Sequence, residues 1–600
     1  MAKGKISVHT DNLLPIIKKW LYSDSDIFLR ELISNAQDAI MKLKKLNSLG
    51  KTDIDDKYEI RVELDKENGI ISVTDNGIGM TEDEVEKYIN QVAFSGAEEF
   101  IKKYENEKDE KSQIIGHFGL GFYSAFMAAS EVEIDTLSYI EGASAVHWVS
   151  DGGTDYEITE GTKKERGTTI TLHISEESKE FLDAFKIREI LNKYCAFLPV
   201  EIYLIDKSQE EEKEVSPIND TNPLWLKNPN DCTEEEYKAF YHKVFFDMND
   251  PLFWIHLNVD FPFNLKGILY FPKLNHEFQT IEGQIKLYNN QVFIADNIKE
   301  VIPEYLMLLK GVIDCPDLPL NVSRSFLQND GYVAKVSQHI TKKVADKLNS
   351  IYKTAKEDFE KYWDDINPFI KYGCMRDEKF YDRVKDIILF KKLDDTYVSL
   401  KELTEAEAKE VFYVTDVESQ SQYIELLKTE EIEPVLLNNM IDNHFSSFLE
   451  YKISDIRFKR VDSFISESLK DGESEEELDK KLSELFTPYA DGAKVSVESL
   501  KSEKISAMYV LSEEARRMEE MQKMYGGMNF ANMPKPEETL VINSNNDLVK
   551  KALEIEDNEL KELLCTNIVD MAKLSHNTLN GEEKTAFLER NVKIMNMLIK

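Results

Sequence analysis

The sequence predicts an α+β protein built from several domains, and three observations lead to this prediction. The chain has 600 residues, which is too long for one hydrophobic core, so three or four domains are expected. Short segments of alternating apolar residues, typical of half-buried strands, recur between residues 58 and 205 and again from residue 253. Helical patterns lie between and around them, and they continue from residue 547 to the end of the chain.

The net charge of −38 restricts the partners of the protein. Nucleic acids and anionic membranes both attract clustered Lys and Arg, so we expect no nucleic-acid partner and no membrane partner. Lys18 and Lys19 interrupt the apolar stretch near the N-terminus, so no signal peptide is expected. The five cysteines show no C-x-x-C spacing, and no two histidines are spaced like a metal site on a helix. These features favour a reducing, cytoplasmic setting.

The central element is a predicted helix that begins after Ser25 or Asp26. Its apolar residues follow the i, i+3, i+4, i+7 pattern of a buried face. Glu31, Asn35 and Asp38 lie at i, i+4 and i+7, so they share another face. A carboxylate can activate water, and an amide oxygen one turn away can bind a hard cation such as Mg²⁺. The alternative is an ordinary solvated face of an amphipathic helix.

Two strands, predicted over residues 58–64 and 69–74, lead to Asp75. A carboxylate at the end of a strand can accept a hydrogen bond from an exocyclic amine, and the glycines after it permit close backbone approach. A simple hairpin turn would use the same residues. Thr81 and Glu84 have the spacing of a capping box, which predicts a helix directly after the turn and favours the site.

A cluster of glycines follows at Gly116, Gly119 and Gly121. Its G-x-x-G-x-G spacing is neither the dinucleotide fingerprint nor a P-loop. The cluster leads into an apolar helix predicted over residues 122–129, whose N-terminus would offer backbone N–H groups to phosphate oxygens. The alternative is a packed glycine-rich turn.

The remaining patterns complete the outline of the chain. The first sheet is predicted to be antiparallel with helices on one face, and its further elements are strands at 132–137, 143–149, 156–159, 168–174 and 200–205 and a helix at 187–197. The acidic segment 207–219 is predicted to be a linker between two domains. Beyond them we predict strands at 253–259, 267–271, 287–294 and 411–415, a charged helix at 473–485, and amphipathic helices at the end of the chain.

Four of these elements together resemble a known nucleotide site. The helix with Glu31, the turn after Asp75, the glycine cluster and Gly167-Thr168-Thr169 occur in this order in DNA gyrase, mismatch-repair ATPases, histidine kinases and the ninety-kilodalton heat-shock chaperones. The sequence of residues 28–36 and 115–126 resembles that of the heat-shock chaperones in particular, and the resemblance extends over nearly the whole chain.

The resemblance implies a domain organisation. An N-terminal ATPase sandwich of the gyrase and histidine-kinase type would span residues 1–206, and a short acidic linker would span 207–220. An α/β middle domain would follow over 221–485, and a helical dimerisation domain over 486–600. The linker lacks the long charged insertion of the eukaryotic members, which favours the bacterial type.

The resemblance also implies roles for single residues, with ATP and Mg²⁺ as cofactors. Glu31 would be the general base, and Asn35 the ligand of Mg²⁺. Arg324 and Gln328 of the middle domain would reach the γ-phosphate in a closed state. The residues that would bind the nucleotide are Asn35, Asp38, Asp75, Gly79, Met80, Gly116, Phe118, Gly119, Gly121, Phe122 and Thr168.

The function implied is an ATP-dependent molecular chaperone, a homodimeric clamp that binds non-native client proteins and works with other chaperones. Met518, Met521 and Met524 are spaced along one helical face and would either fill a core or contact clients. The sequence also departs from the family pattern. Tyr88 stands where Asn or His is common, Phe94 stands where Lys is common, and Gln291 stands where Arg is common.

Three alternatives share the nucleotide site. A DNA-manipulating ATPase of the gyrase or mismatch-repair type would need a basic channel, which the acidic middle region does not offer. A histidine kinase would need a phosphoacceptor histidine ahead of the ATPase domain, where only His9 is present. A passive scaffold would bind nucleotide without hydrolysing it.

Overall fold

The structure is a computed structural model that describes most of the chain from residue 25 onward. Residues outside the description are 1–24, 55–56, 92–93, 95, 97–98, 101–118, 154, 210–215, 274–283, 298, 300, 319–330, 407–408, 429, 464–469, 471–474, 512–537, 576–578 and 599–600. The chain forms two compact units, Met1–Lys343 and Val344–Lys600. The division into domains at residues 206, 220 and 485 stays a prediction.

The first unit contains a seven-stranded sheet with the order β5-β4-β3-β6-β2-β1-β7. Its strands are β1 (Glu59–Asp65), β2 (Ile70–Asp75), β3 (Ala129–Leu137), β4 (Val146–Ser150), β5 (Glu157–Glu160), β6 (Gly167–Ile174) and β7 (Glu201–Asp206). The helices of this region are α1 (Ile27–Ser48), α2 (Glu82–Tyr88) and α3 (Ala184–Cys195). The α+β class is therefore confirmed, and each predicted strand of this region is present within a few residues.

One strand pair differs from the predicted antiparallel sheet. β7 pairs with β1 in parallel, with Ile60 opposite Ile202, while the other neighbours are antiparallel. A parallel neighbour requires a crossover connection, because a tight turn can join only antiparallel strands. α3 lies between β6 and β7 in the chain and belongs to that connection. The alternation within β7 carries no information about its direction, so the sequence pattern could not show this.

Burial of one face fixes α1 on the sheet. Phe28, Leu32 and Ile33 are fully buried, and they share a core with Val62 and Ile71 of the strands. Full burial of such a side chain contributes about 1.5–3 kcal/mol, so this face anchors the helix. Asp26 is the N-cap residue, as predicted, but its side chain makes no capping hydrogen bond.

The second sheet of the first unit has the order β11-β10-β12-β9-β8. Its strands are β8 (Phe253–Val259), β9 (Leu265–Phe271), β10 (Gln284–Asn289), β11 (Val292–Asp296) and β12 (Lys310–Asp314), and the helices nearby in the chain are α4 (Glu234–Phe245) and α5 (Gly331–Thr354).

The single strand predicted over residues 287–294 is a hairpin instead. Asn290 and Gln291 have φ angles of 50° and 66° and reverse the chain between β10 and β11. Asparagine tolerates the left-handed region better than most residues, and this local property was hidden in an otherwise apolar run.

The far end of the predicted linker is fixed rather than free. The side chain of Asn219 accepts a hydrogen bond from the N–H of Ile202 at 2.8 Å. Its amide donates to the carbonyl oxygens of Leu198 and Val200 at 2.8 and 2.7 Å. These three bonds attach Asn219 to the start of β7.

The second unit contains a five-stranded sheet, β14-β13-β16-β15-β17, and a three-stranded sheet, β18-β20-β19. The strands are β13 (Leu389–Lys392), β14 (Tyr397–Ser399), β15 (Glu410–Val414), β16 (Val435–Leu436), β17 (Arg457–Arg460), β18 (Lys494–Glu498), β19 (Ala507–Leu511) and β20 (Glu538–Asn543). The helices are α6 (Lys356–Arg376), α7 (Glu378–Val384), α8 (Leu400–Glu405), α9 (Ser421–Lys428), α10 (Asp442–Lys452), α11 (Glu476–Phe486), α12 (Asp547–Glu554), α13 (Asn558–Ser575) and α14 (Gly581–Leu598). The predicted strand at 411–415, charged helix and helical tail are confirmed. Met518, Met521 and Met524 lie outside the described residues.

Candidate active site

A cavity of about 450 Å³ opens beside α1. This volume is within the range of small-molecule sites in proteins. The second face of α1 lines the cavity, which also receives the ends of β2 and β6 and the start of the segment after residue 119. The predicted site residues that line it are Glu31, Asn35, Asp38, Asp75, Gly79, Met80, Gly119, Gly121, Phe122 and Thr168.

The four other predicted residues cannot be located. Gly116, Phe118, Arg324 and Gln328 lie outside the described residues. The helix expected over residues 122–129 is a seven-residue 3-10 helix, Gly121–Met127, and Ala129 already belongs to β3. Ala129 pairs with Ile174 of β6, so sheet pairing ends the helical segment early.

Glu31 is almost completely buried at the wall of the cavity. Arg30 donates to its Oε1 from Nη2 at 2.8 Å and from Nε at 3.1 Å. Arg30 itself lies over the ring of Tyr194 at 5.5 Å. A Cβ atom at Gly121 would come within 2.6 Å of the Glu31 Oε2 atom. The carboxylate is therefore bound by a guanidinium group through Oε1, and a side chain at Gly121 would displace its Oε2 atom.

Asn35 and Asp38 continue the same line along α1. Asn35 is half-buried and lines the cavity, and within the described part of the chain its side-chain amide takes part in no hydrogen bond. An amide oxygen and a carboxylate beside a cavity are ligands that suit Mg²⁺, which retains waters and binds substrate phosphates as well. The donor set of Glu31 and Asn35 thus fits a magnesium ion that arrives with a nucleotide.

Asp75 lies at the floor of the cavity, at the end of β2. Burial raises the pKa of its carboxyl to about 7, although the hydrogen bond from the N–H of Gly77 and the charge of Lys163 act in the opposite direction. The Gly77 N–H donates to Oδ1 at 2.8 Å. A buried carboxyl that ionises near neutrality can accept a hydrogen bond from an amine in the cavity.

Thr168 faces Asp75 across the β2–β6 pair. Its hydroxyl lies 3.0 Å from that of Thr136, and the latter accepts a hydrogen bond from the N–H of Met80 at 2.9 Å. These contacts tie the turn after Asp75 to two strands. Gly79 closes the turn with a φ of 62°, and a Cβ there would lie 1.9 Å from the carbonyl oxygen of Leu137.

Lys42 is a cavity residue that the sequence analysis missed. It lies one turn beyond Asp38 and extends the line of Glu31, Asn35 and Asp38, so helical spacing could have found it. Burial lowers the pKa of Lys42, and the carboxylates of Asp38 and Glu84 raise it in compensation. In its protonated form the Lys42 side chain can attract phosphate oxygens in the cavity.

The two departures from the family pattern form an aromatic wall. The rings of Tyr88 and Phe94 stack with centroids 6.1 Å apart, and both line the cavity. The Tyr88 hydroxyl donates to Glu99 Oε2 at 3.0 Å, and the Lys87 ammonium lies 5.4 Å from the centroid of the Phe94 ring. This part of the wall therefore presents ring surfaces to the cavity. Gln291, the third departure, lies in the β10–β11 hairpin and does not line this cavity.

Comparison with protein families agrees with this site. Residues 22–179 match the model of the "Histidine kinase-, DNA gyrase B-, and HSP90-like ATPase" domain. Residues 206–599 match the model of the "Hsp90 protein" family. The chain belongs to the Hsp90 family.

Relatives of the Hsp90 family extend this likeness over nearly the whole chain. The chaperone protein HtpG of Bacteroides thetaiotaomicron is 43% identical over 585 residues, which cover 93% of this chain and 85% of the relative. HtpG of Porphyromonas gingivalis is 43% identical over 601 residues, 95% of this chain and 87% of the relative. HtpG of Wolinella succinogenes is 32% identical over 601 residues, 96% of both chains.

The Hsp90 family assignment fits the nucleotide-binding fold around the cavity and does not favour a DNA-manipulating ATPase. The roles of the single residues stay predictions. Among the helices that the structure describes, none combines the length and the apolar character needed to cross a membrane.

Proposed function

We propose that this protein is an ATP-dependent molecular chaperone that hydrolyses ATP in the cavity beside α1. The observation that supports this most directly is the arrangement of Glu31, Asn35 and Asp38 along one cavity wall with Asp75 at the floor. This arrangement brings together, in one cavity, a candidate base, a candidate magnesium ligand and a candidate hydrogen-bond acceptor for the adenine amine. Membership of the Hsp90 family and the HtpG relatives supports the chaperone activity.

In the proposed mechanism Asp75 accepts a hydrogen bond from the exocyclic amine of adenine, and Thr168 borders the same position. Asn35 would hold Mg²⁺, which would supply charge neutralisation of the phosphates. Glu31 accepts a proton from a water molecule as the water oxygen bonds to the γ-phosphorus. The bond between that phosphorus and the bridging oxygen breaks, and ADP leaves with the electron pair. Arg30 keeps the Glu31 carboxylate in position throughout.

We further propose that the three predicted domains, joined in part by the linker over residues 207–220, act as functional units. Arg324 and Gln328, in the middle domain, would complete the site when the N-terminal domain docks, so hydrolysis would follow closure. The C-terminal domain would join two copies into a homodimer. In support, α14 exposes the apolar side chains of Leu588, Val592 and Met595. The clamp would hold non-native client proteins in the cytoplasm and act with other chaperones, and the five free cysteines suit a reducing compartment.

The decisive experiment measures steady-state ATP hydrolysis and nucleotide binding by the full chain and two variants. Glu31→Ala and Arg324→Ala should each bind ATP, and Glu31→Ala should lose at least about a hundredfold in kcat, the usual contribution of a general base. Glu67→Ala is the matched control, because Glu67 is an exposed glutamate in the turn between β1 and β2.

Two results would contradict the proposal. Hydrolysis that survives Glu31→Ala would remove Glu31 as the base. The second test measures how well the protein protects a heat-unfolded reporter enzyme from aggregation. Equal protection with and without ATP would show that chaperone activity is not coupled to the nucleotide.

A further inference from the structure

A second group of chemically active side chains lies on the outer face of the seven-stranded sheet, the face opposite α1. Three carboxylates project outward from β3, and two histidines project from its neighbours β4 and β6. We call this group the outer-face cluster. Its members are Glu131, Glu133, Asp135, His147 and His173.

Strand register brings these residues together. Glu131 and Asp135 are directly opposite His173 and His147, respectively, and Glu133 lies between them on the same face of β3. Residues two apart on a strand share a face, and opposed residues on neighbouring strands are within side-chain reach. Because β3 lies between β4 and β6, its carboxylates meet a histidine on each side.

The distances show two contact groups that share Glu133. The Nε2 atom of His173 lies 2.6 Å from Oε1 of Glu133 and 3.7 Å from Oε1 of Glu131. The Nδ1 atom of His147 lies 3.1 Å from Oδ1 of Asp135. The first group consists of Glu131, Glu133 and His173, and the second of Glu133, Asp135 and His147. Within each group, all potential ligand atoms lie within 4.8 Å of one another.

We propose that the outer-face cluster binds a divalent transition-metal ion of the zinc class, with His173, Glu133 and Glu131 as its ligands. Imidazole nitrogen and carboxylate oxygen bind zinc at about 2.0–2.2 Å, which separates tetrahedral ligands by roughly 3.4 Å. The distances from His173 Nε2 to the Glu133 and Glu131 oxygens, 2.6 and 3.7 Å, lie on either side of that separation. The second group, with Asp135 and His147, adjoins this site through the shared carboxylate of Glu133.

The charge of the cluster favours a cation. Its three carboxylates lie on one strand face, where like charges repel, and none of them has an ion pair with Lys or Arg in the part of the chain that the structure describes. Lys163 approaches the same face but donates to the hydroxyl of Thr169. The five side chains are between 28% and 49% exposed, so an ion can enter, while the strands hold their backbones in place.

The outer-face site is separate from the cavity that we assign to ATP. Adjacent residues of one strand point to opposite faces, so Thr168 faces the cavity while Thr169 faces outward. Ile134 of β3 also lines the cavity, between the outward-facing Glu133 and Asp135. The magnesium ion expected with ATP therefore belongs to the other side of the sheet.

Calorimetric titration of the full chain with zinc chloride, after treatment with a chelator, tests this inference. Glu133→Gln and His173→Gln should each weaken the zinc site at least about tenfold, since even the loss of an outer-shell partner costs ten- to a hundredfold. Cobalt chloride serves as a spectroscopic probe, and its visible absorption with bound imidazole should disappear in His173→Gln. Circular dichroism establishes that the variants fold, and either variant alone is sufficient for the test.

His242→Gln is the matched control. His242 also contacts a carboxylate, with Nε2 2.9 Å from Oδ1 of Asp250, but it belongs to no group of three potential ligands among the described residues. It should bind zinc like the wild type. Equal zinc affinity in wild type, Glu133→Gln and His173→Gln would overturn the proposal, as would the absence of zinc binding to the wild type.

Discussion

The two faces of the seven-stranded sheet use the same strands for different purposes. On the inner face Asp75 and Thr168 are buried beside α1, and close backbone approach at Gly79 leaves no space for a side chain. On the outer face Glu133 and His173 are partly exposed and form contacts between side chains. Substitutions on the inner face should therefore be costly, because buried groups have no solvent to replace a lost partner. Substitutions on the outer face should cost little unless a metal ion is present.

The largest effect on stability is expected for Gly79→Ala. Its φ of 62° disfavours a side chain, and the new Cβ would lie 1.9 Å from the Leu137 carbonyl oxygen. The turn and β3 must separate, so the free energy of unfolding should fall by at least about 3 kcal/mol. Denaturant unfolding measures this loss. Gly69→Ala, which has a similar φ of 69° but open space around it, is the control, and an equal loss in both variants would show that close packing at Gly79 is not the cause.

Asp75→Asn should abolish a pH dependence of nucleotide binding. The wild-type carboxyl, whose pKa burial raises to about 7, must be ionised to accept from the adenine amine. Affinity for ATP should therefore fall as pH decreases through 7, by about tenfold per unit below it. Calorimetric titrations with ATP between pH 6 and 8 provide the measurement. Wild-type affinity that stays constant over this range would disprove the role of the Asp75 charge.

Thr168→Val and Thr169→Val compare the two faces with the same change at adjacent residues. Thr168→Val removes the contact with Thr136 in the buried layer. The free energy of unfolding should fall by about 1–2 kcal/mol, and nucleotide affinity should fall several-fold. Thr169→Val removes contacts with Thr74 and Lys163 on the outer face. The free energy of unfolding should fall by at most about 0.5 kcal/mol. Unfolding and binding measurements on both variants decide the comparison, and a larger nucleotide defect in Thr169→Val would reverse our assignment of the faces.

The smallest effect is expected for His147→Gln in the presence of a chelator. The partly exposed contact with Asp135 should contribute no more than about 0.5 kcal/mol, as for most pairs near the surface. Thermal unfolding with a chelator measures this value. If the free energy of unfolding fell by more than about 2 kcal/mol, the contacts of the outer face would stabilise the fold without metal, as those of the inner face do.

Most of the correct sequence predictions have local causes, although the turn at Asn290 and Gln291 is a local feature that the apolar pattern did not reveal. The capping box of Thr81 and Glu84 is present as predicted, because it involves residues three apart. The shared face of Glu31, Asn35 and Asp38 follows from helical geometry alone. The parallel pairing of β7 with β1 and the early end of the helix before Ala129 depend on strands distant in sequence, so the predictions there were wrong.

The outer-face cluster illustrates the same limit. The sequence contains no two histidines with the spacing of metal ligands on a helix, so spacing alone does not point to this cluster. His147 and His173 instead meet the carboxylates of β3 through strand pairing, and a spacing rule based on one helix cannot find such a group.

The sequence by itself determined the helices, most strands and the line of polar residues along α1, because these depend on spacings within one element. It also identified the family through motifs along the chain. Only the tertiary structure decided that Asp75 is buried and that Glu133 lies between two histidines. Each of these depends on which elements pack together and in which register, and packing is a property of contacts between residues far apart in the chain.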